Sequence, residues 1–437
     1  MRIRFFNVRV LTMEEKPEET GYPVIEHGQV WVKDGKIEKI VEDGEISKLA
    51  FSEEKWDREI DGQGNLILPG FKNAHTHSAM TFLRSYADDL PLQQWLESQV
   101  FPMEAKLTAE DVYWLSKLAV MEYLTSGITS NFDMYFHQET IARASAECGF
   151  RTVLLSNLND FVSSPEEAEE QYLKLNNFDP LITYRFGFHA EYTTSEPLLR
   201  KVAELAWKYK EPVFAHISET ESEVLECKNR HGMTPPVYLD HLGLFEYGGG
   251  GYHCVYMTEE DLDLFEKKGL FVVTNPGSNM KLASGIAPVS EMLKRGISLG
   301  IGTDGPASNN CLDMFREMFL VTGLAKLREK DAAAVPAEEV LKMAVTGGAK
   351  AMGLSSCDCL AEGKAADLIM IDLHQPNMQP FNDLVKNLVY SGSKQNVKLT
   401  MVNGKILYEN GEFFIGVEAE TVYQKANEII ERMKKEK

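Results

Sequence analysis

The chain has 437 residues, an apolar fraction of 44% and a formal net charge of −21. Its length allows one large barrel-sized domain plus a smaller one, or two to three ordinary domains. The charge repels polyanions, which argues against nucleic acid as a partner and favours a small, locally recognised ligand. At the start of the chain, "MRIRFFNVRVLT" carries Arg9 inside what would be the apolar core of a signal peptide, so a cytoplasmic protein is expected. No membrane span is expected either, because no apolar run reaches the roughly 18 residues needed. The six cysteines are scattered and read as reduced thiols.

The first elements are strands. "QVWVKDGKIEKIVEDG" alternates about an Asp34-Gly35 turn, a strong hairpin signal. The pattern returns near the C-terminus, where "KAADLIMIDL" reads as a strand and "VKLTMVNGKILYENGEFF" as a hairpin turning at Asn403-Gly404. Neither β region can bury a core alone, so residues 1–65 and 356–437 are expected to pack together as one small β-sandwich. Within the second part, "AETVYQKANEIIERMKKEK" places Val422, Ala426, Ile429, Ile430 and Met433 on one stripe of a closing amphipathic helix.

Between them, over 66–355, strands alternate with helices. The candidate strands end near Phe71, Asp133, Asn157, His189, His216, Cys254, Asn275 and Asp304. A helix capped by Thr108 runs toward Gly127. Eight strand–helix repeats match the size and order of an α/β fold of the (β/α)8 barrel type. The glycine run at 248–251 reads as a loop.

Barrel active sites sit at the C-terminal ends of the strands. Several of these ends carry side chains that can ligate a metal or move a proton. His75 and His77 are two apart, so in extended chain both rings face the same side, their Cα atoms about 6.6 Å apart. His216 ends an apolar run with Glu219 three residues on. His189, His253 and Asp304 end three further strands. Each alone is more simply a core histidine, a helix cap or a turn aspartate. Together they place five of the ten histidines, one glutamate and one aspartate at one end of a barrel. The remaining histidines, His27, His137, His231, His241 and His374, read as structural or solvated.

The segments "PGFKNAHTH", "HISE", "HCV" and "GTDGPASNN" resemble the amidohydrolase superfamily over nearly the whole chain. That resemblance implies a barrel with a small β-sandwich built from both chain ends. Many binuclear members carry a bridging lysine on the fourth strand. Here "TYRFGFHA" has none, which favours a single ion. The resemblance then implies His75, His77, His216 and Asp304 as ligands, with Zn suited to the histidine-rich set and iron or manganese also fitting. A site of this kind lowers the pKa of water from about 15.7 toward about 7. Asp304 would take a proton, His253 would orient water, and Glu219 would carry a proton to a ring nitrogen of the substrate. The expected reaction is hydrolytic deamination of an aromatic amine. A different zinc-deaminase pattern, H-x-E followed by P-C-x-x-C, fits His189-Ala190-Glu191 but lacks its cysteine half. The superfamily also suggests a homodimer or homotetramer.

The stretch from His75 through "QQWLESQVFPMEAKL" is similar to S-adenosylhomocysteine and methylthioadenosine deaminases. By that similarity Glu104 would bind the ribose diol of a nucleoside substrate and His189 the purine. Trp95 could wall the purine site, and Ser308 and Asn309 line its mouth. Members that bind homocysteine place arginine at the end of the third strand. Here Ser156, Asn157 and Asn159 stand there, and Arg151 starts the strand, at the opposite end. A neutral 5′ group, as in adenosine or methylthioadenosine, is therefore preferred. Tyr256 stands where the family usually has another histidine. Other branches of the superfamily (guanine, cytosine or pterin deaminases and triazine chlorohydrolases) and an inactive scaffold remain as alternatives.

Overall fold

The computed structural model of the chain describes residues 1–15, 22–48, 55–86, 88–90 and 92–436. Among these, eight parallel strands run in chain order: Phe71–Thr76, Ile128–Met134, Arg151–Leu155, Ile182–Ala190, Val213–Ile217, Gly249–His253, Phe271–Thr274 and Ser298–Ile301. Helices cross between them, and the set forms a (β/α)8 barrel. At the seam, the Asn73 side chain bonds both Thr303 Oγ1 (2.7 Å) and Thr303 N (2.8 Å), and Asp304 N donates to His75 O at 3.0 Å. The seam thus closes through residues that adjoin the candidate ligands.

The two chain ends share one mixed sheet of nine described strands. Arg2–Leu11 lies near its middle. The hairpin of Val24–Lys33 and Lys36–Glu42 turns at Asp34 (φ 49°) and Gly35 (φ 84°), and that of Val397–Val402 and Lys405–Glu409 at Asn403 (φ 48°) and Gly404 (φ 74°). Left-handed backbone at both turn positions is what Asp-Gly and Asn-Gly supply at low steric cost.

Two details differ from the sequence reading. The apolar run before His75 is two strands, not one. Leu66–Pro69 pairs with Arg2–Leu11 and with Leu368–Ile371 in the mixed sheet, and the first barrel strand only begins at Phe71. Gly70 makes the changeover, where a Cβ would stand 2.1 Å from the Thr129 methyl. His75 therefore lies inside a strand rather than after one. The glycine run is not a loop either. Gly249–His253 is the sixth barrel strand, and a Cβ would fall 1.9 Å from Val213 O at Gly249 and 2.2 Å from Phe271 O at Gly250. Those glycines admit neighbouring backbone where a side chain cannot fit.

The helix Ala109–Thr125 starts at a capping box between Thr108 and Asp111. The C-terminal helix, Ala419–Lys435, buries Val422, Ala426, Ile429 and Met433. Three of these, Ala426, Ile429 and Met433, share an apolar cluster with Trp95, Val100 and Met103. Lys106 Nζ donates to Met433 O at 2.9 Å. The helical segment of Leu92–Glu104 is thereby held against the barrel mouth by the far end of the chain. Among the described residues, no helix is long and apolar enough to cross a membrane.

Candidate active site

At the C-terminal end of the barrel, donor atoms of His75, His216, His253 and Asp304 all lie within 4.8 Å of one another. All four residues are buried. His77 adjoins them, its Nε2 3.2 Å from Asp304 Oδ1. The rings are aimed by their outer nitrogens. His77 Nδ1 is 2.5 Å from Met134 O, His216 Nδ1 is 2.8 Å from His189 O, and His253 Nδ1 is 2.7 Å from Asn279 Oδ1. Each contact fixes a ring so that Nε2 faces the centre, the support that metal-ligating histidines use. His75 is stacked on Tyr252 at 3.7 Å, and neither of its buried ring nitrogens has a hydrogen-bond partner.

Asp304 has a divided role. Its Oδ2 accepts from Ser278 Oγ (2.6 Å) and Ser308 Oγ (2.7 Å), which leaves Oδ1 toward His75 and His77. Its backbone is left-handed (φ 58°), as is that of His253 (φ 68°) and Ser218 (φ 51°). Non-glycine residues reach that region at a cost, and such positions cluster at functional sites. At Gly302 a Cβ would stand 2.7 Å from that of His75, so glycine there lets the last strand approach the first.

Burial lowers His75 to about 3 and His189 to about 4, and it holds His216 well below the ordinary imidazole range. These three rings are therefore neutral near pH 7, the form that binds metal or hydrogen-bonds a base. Burial also pulls His77 down, but the bond to Asp304 and its charge outweigh it and the net direction is up. For Asp304, burial is outweighed by His75 and His77, which keep the carboxylate well below its usual range.

The cluster opens into one cavity of about 1110 Å³. Trp95, Glu104, His189, Glu219 and Ser308 all line it, together with His77, His216, His253 and Asp304. Glu219 Oε1 accepts from Ser284 Oγ at 3.1 Å, and its Oε2 is 3.8 Å from His253 Nε2. Across the cavity, Glu104 Oε1 accepts from Tyr135 OH at 2.6 Å, and burial raises the Glu104 carboxyl to about 7. His189 Nδ1 is 2.9 Å from Thr193 Oγ1, so its other nitrogen is left for a ligand. Trp95 is 6% exposed, a wall rather than a surface residue.

Some residues sit differently from the expectation. Asn309 is buried against Thr303 O (2.7 Å) and Glu317 Oε1 (2.8 Å) and is not part of the lining. Tyr256 is not part of it either, while His137 is. Ser278, Asn279, Tyr135 and Glu223 escaped the sequence reading. Glu223 Oε1 and Oε2 accept the N–H groups of Ser218 and Glu219, each at 2.8 Å. Ser278, Asn279 and Glu223 do not stand where a search on strand ends would look; Tyr135, directly after the second barrel strand, does.

A barrel with buried imidazoles and a carboxylate at its C-terminal mouth, opening into one deep cavity, is the construction of a metal-assisted hydrolase. Residues 66–407 match the amidohydrolase family, and the chain belongs to that family of hydrolytic enzymes. It is 38% identical over 438 residues to a 5-methylthioadenosine/S-adenosylhomocysteine deaminase of Halothermothrix orenii, covering 99% of this chain and 100% of the relative. It is also 38% identical over 406 residues to a 5'-deoxyadenosine deaminase of Methanopyrus kandleri, covering 90% and 94%. A zinc-bound adenosine deaminase from Xanthomonas campestris superposes with a TM-score of 0.92 at 32% identity, over 99% of this chain and 98% of that one.

Proposed function

We propose that the protein hydrolyses the exocyclic amine of an adenosine-type nucleoside, releasing ammonia, with a single zinc ion at the buried cluster. The observation that carries this reading is that one cavity holds both that cluster and the buried carboxylate of Glu104, a group able to accept from a ribose diol. The relatives named as adenosine-derivative deaminases support it.

The donor set fits a divalent ion. A histidine-rich set with one carboxylate suits zinc, and both ring nitrogens of His75 are buried without a hydrogen-bond partner, a state that costs free energy unless a ligand is met. His75, His77, His216 and Asp304 would hold the ion, with His253 at the same centre and facing Glu219. When bound, the ion would supply a nucleophile from water at neutral pH.

The chain's own groups supply the rest. Ser278 and Ser308 seat Asp304 Oδ2, so its other oxygen is placed to accept a proton at the centre. Glu219 is positioned to pass a proton to a purine ring nitrogen and so activate the neighbouring carbon. His253, pinned by Asn279, positions the water beside Glu219. His189 offers a nitrogen to the base, Trp95 walls it, and Glu104 accepts from the two ribose hydroxyls.

The test is ammonia release from adenosine by zinc-loaded protein, with Glu219→Gln as control. Turnover that is abolished in the variant is expected. A zinc-loaded, folded protein that released no ammonia from adenosine, methylthioadenosine or S-adenosylhomocysteine would refute the reading.

A further inference from the structure

A second buried carboxyl, Glu317, does not line the cavity and bonds to no candidate ligand. It lies on the helix Met314–Glu329, whose other buried side chains, among them Met314, Phe315, Met318, Val321 and Ala325, are mostly apolar. Glu317 is 0% exposed, and burial raises its carboxyl to about 7. An apolar side chain would fill this place at lower cost, so the acid is kept for its bonds. There are two. Oε2 accepts from Gly277 N and Oε1 from Asn309 Nδ2, each at 2.8 Å.

Both bonds end next to a hydroxyl that seats Asp304. Gly277 precedes Ser278 in the helix Pro276–Lys281, and Asn309 follows Ser308 in the turn after the eighth strand. Ser278 Oγ and Ser308 Oγ reach Asp304 Oδ2 at 2.6 Å and 2.7 Å. Asn309 Nδ2 also donates to Thr303 O at 2.7 Å, so the same amide grips the residue before Asp304. The fit leaves no slack. At Gly277 a Cβ would stand 2.4 Å from Glu317 Oε1 and 2.8 Å from Asn309 Nδ2, so glycine admits both side chains. Ser308 Oγ has another acceptor within reach, Gly305 O at 3.1 Å, and must be held to keep facing Asp304.

We infer that Glu317 is a positioning residue for the reaction: it ties the segments of Ser278 and Ser308 together so that both hydroxyls meet Asp304 Oδ2 and leave Oδ1 toward the centre. For the reaction itself the inference rests on the deaminase reading above. Its geometry rests on hydrogen bonds outside the cavity.

The test is a mutant cycle on the zinc-loaded protein, with kcat for adenosine and zinc affinity, by competition with a chelator, measured separately. Glu317→Gln keeps the size of the side chain but turns an amide N–H toward one of its two donors. It should lower kcat or zinc affinity by about tenfold or more, the loss expected for an outer partner of a ligand, with KM for adenosine near wild type. In the Ser278→Ala/Ser308→Ala background the same substitution should change either quantity by less than about twofold, because the hydroxyls it positions are gone. A residue that only stabilises the fold would lower both backgrounds alike. Glu317→Met, which offers no oxygen acceptor, is carried through the same cycle, so the outcome does not hang on one replacement folding. An equal loss in both backgrounds, or wild-type kcat and zinc affinity in the single variants, would overturn the inference. So would variants that both lack a thermal unfolding transition, which would make Glu317 structural. The expected pattern in zinc affinity, with no ammonia released from adenosine by the wild type, would refute the deaminase reading and leave the positioning role standing.

Discussion

Arg151 Nε donates to Asp367 Oδ2 at 2.7 Å and its Nη2 to Oδ1 at 3.1 Å, tying the base of the third barrel strand to the mixed sheet. Asp367 also accepts from Asn403 N at 2.7 Å, so one buried carboxylate holds the barrel and the Asn403-Gly404 turn together. Burial alone would raise the Asp367 carboxyl, but Arg151 outweighs it and the net direction is down. A carboxylate depressed in the folded state stabilises it above the unfolded value of about 3.9, and that contribution is lost as pH falls through the lower folded value. Arg151→Ala would leave a buried charge unpaired, at a cost of about 3–5 kcal/mol. Urea unfolding near neutral pH measures that loss, and the acid-unfolding midpoint should move upward with it. A loss within about 0.5 kcal/mol, ordinary for a surface change, would show that the pair is not structural.

Glu104 is a cavity-lining carboxyl whose titration falls in the working range, since burial raises it to about 7. Accepting two hydroxyl protons from a ribose requires the ionised form. KM for adenosine should therefore rise as pH falls below about 7, while inhibition by free adenine, which has no diol, stays flat. Glu104→Gln should raise KM for the riboside at every pH and remove that acidic limb. A limb of the same shape surviving in Glu104→Gln would assign it to another group.

The pattern of strands and helices was legible because it is written in side-chain periodicity and turn chemistry. Asp34-Gly35 and Asn403-Gly404 need left-handed backbone, and the alternation around them follows. The ligand candidates were legible because His75, His216, His253 and Asp304 are chemically distinctive and lie within a few residues of the C-terminal ends of strands. Gly249–Gly251 was misread for the opposite reason. A strand without side chains has no periodicity, and only the approach of Val213 and Phe271 shows why glycine is needed. The run through Gly70 was misread because two strands in different sheets abut with a single residue between them. Ser278, Asn279 and Glu223 act through bonds to residues at least four positions away, and nothing local in the sequence marks that.

Asp304 illustrates how such support should register. Two hydroxyls converge on its Oδ2, from a helix after the seventh strand and from the turn after the eighth. Loss of an outer partner of a metal-ligating group costs about 10–100-fold in metal affinity or activity. Ser278→Ala and Ser308→Ala should each fall in that range, with the double variant below either. Zinc retention during dialysis against a chelator reads affinity separately from turnover. Wild-type retention and wild-type kcat in the double variant would remove the hydroxyls from the account.

Glu223 is placed to act on Glu219 without touching substrate. Its two oxygens accept the N–H groups of Ser218 and Glu219, and Ser218 O in turn accepts from Val255 N (3.0 Å) and Tyr256 N (2.9 Å) after the sixth strand. The left-handed Ser218 is thus braced from both sides, and the bracing sets where the Glu219 side chain points. Glu223→Gln keeps one acceptor but turns an amide donor toward a backbone N–H. A displacement of about 1 Å at a catalytic group can cost about 10²-fold. The expected outcome is a fall in kcat of that order, with KM for adenosine and zinc content near wild type. That split distinguishes loss of positioning from loss of fold, which would lower zinc content and activity together. Wild-type kcat in Glu223→Gln would mean that Glu219 is held by Ser284 and its surroundings alone.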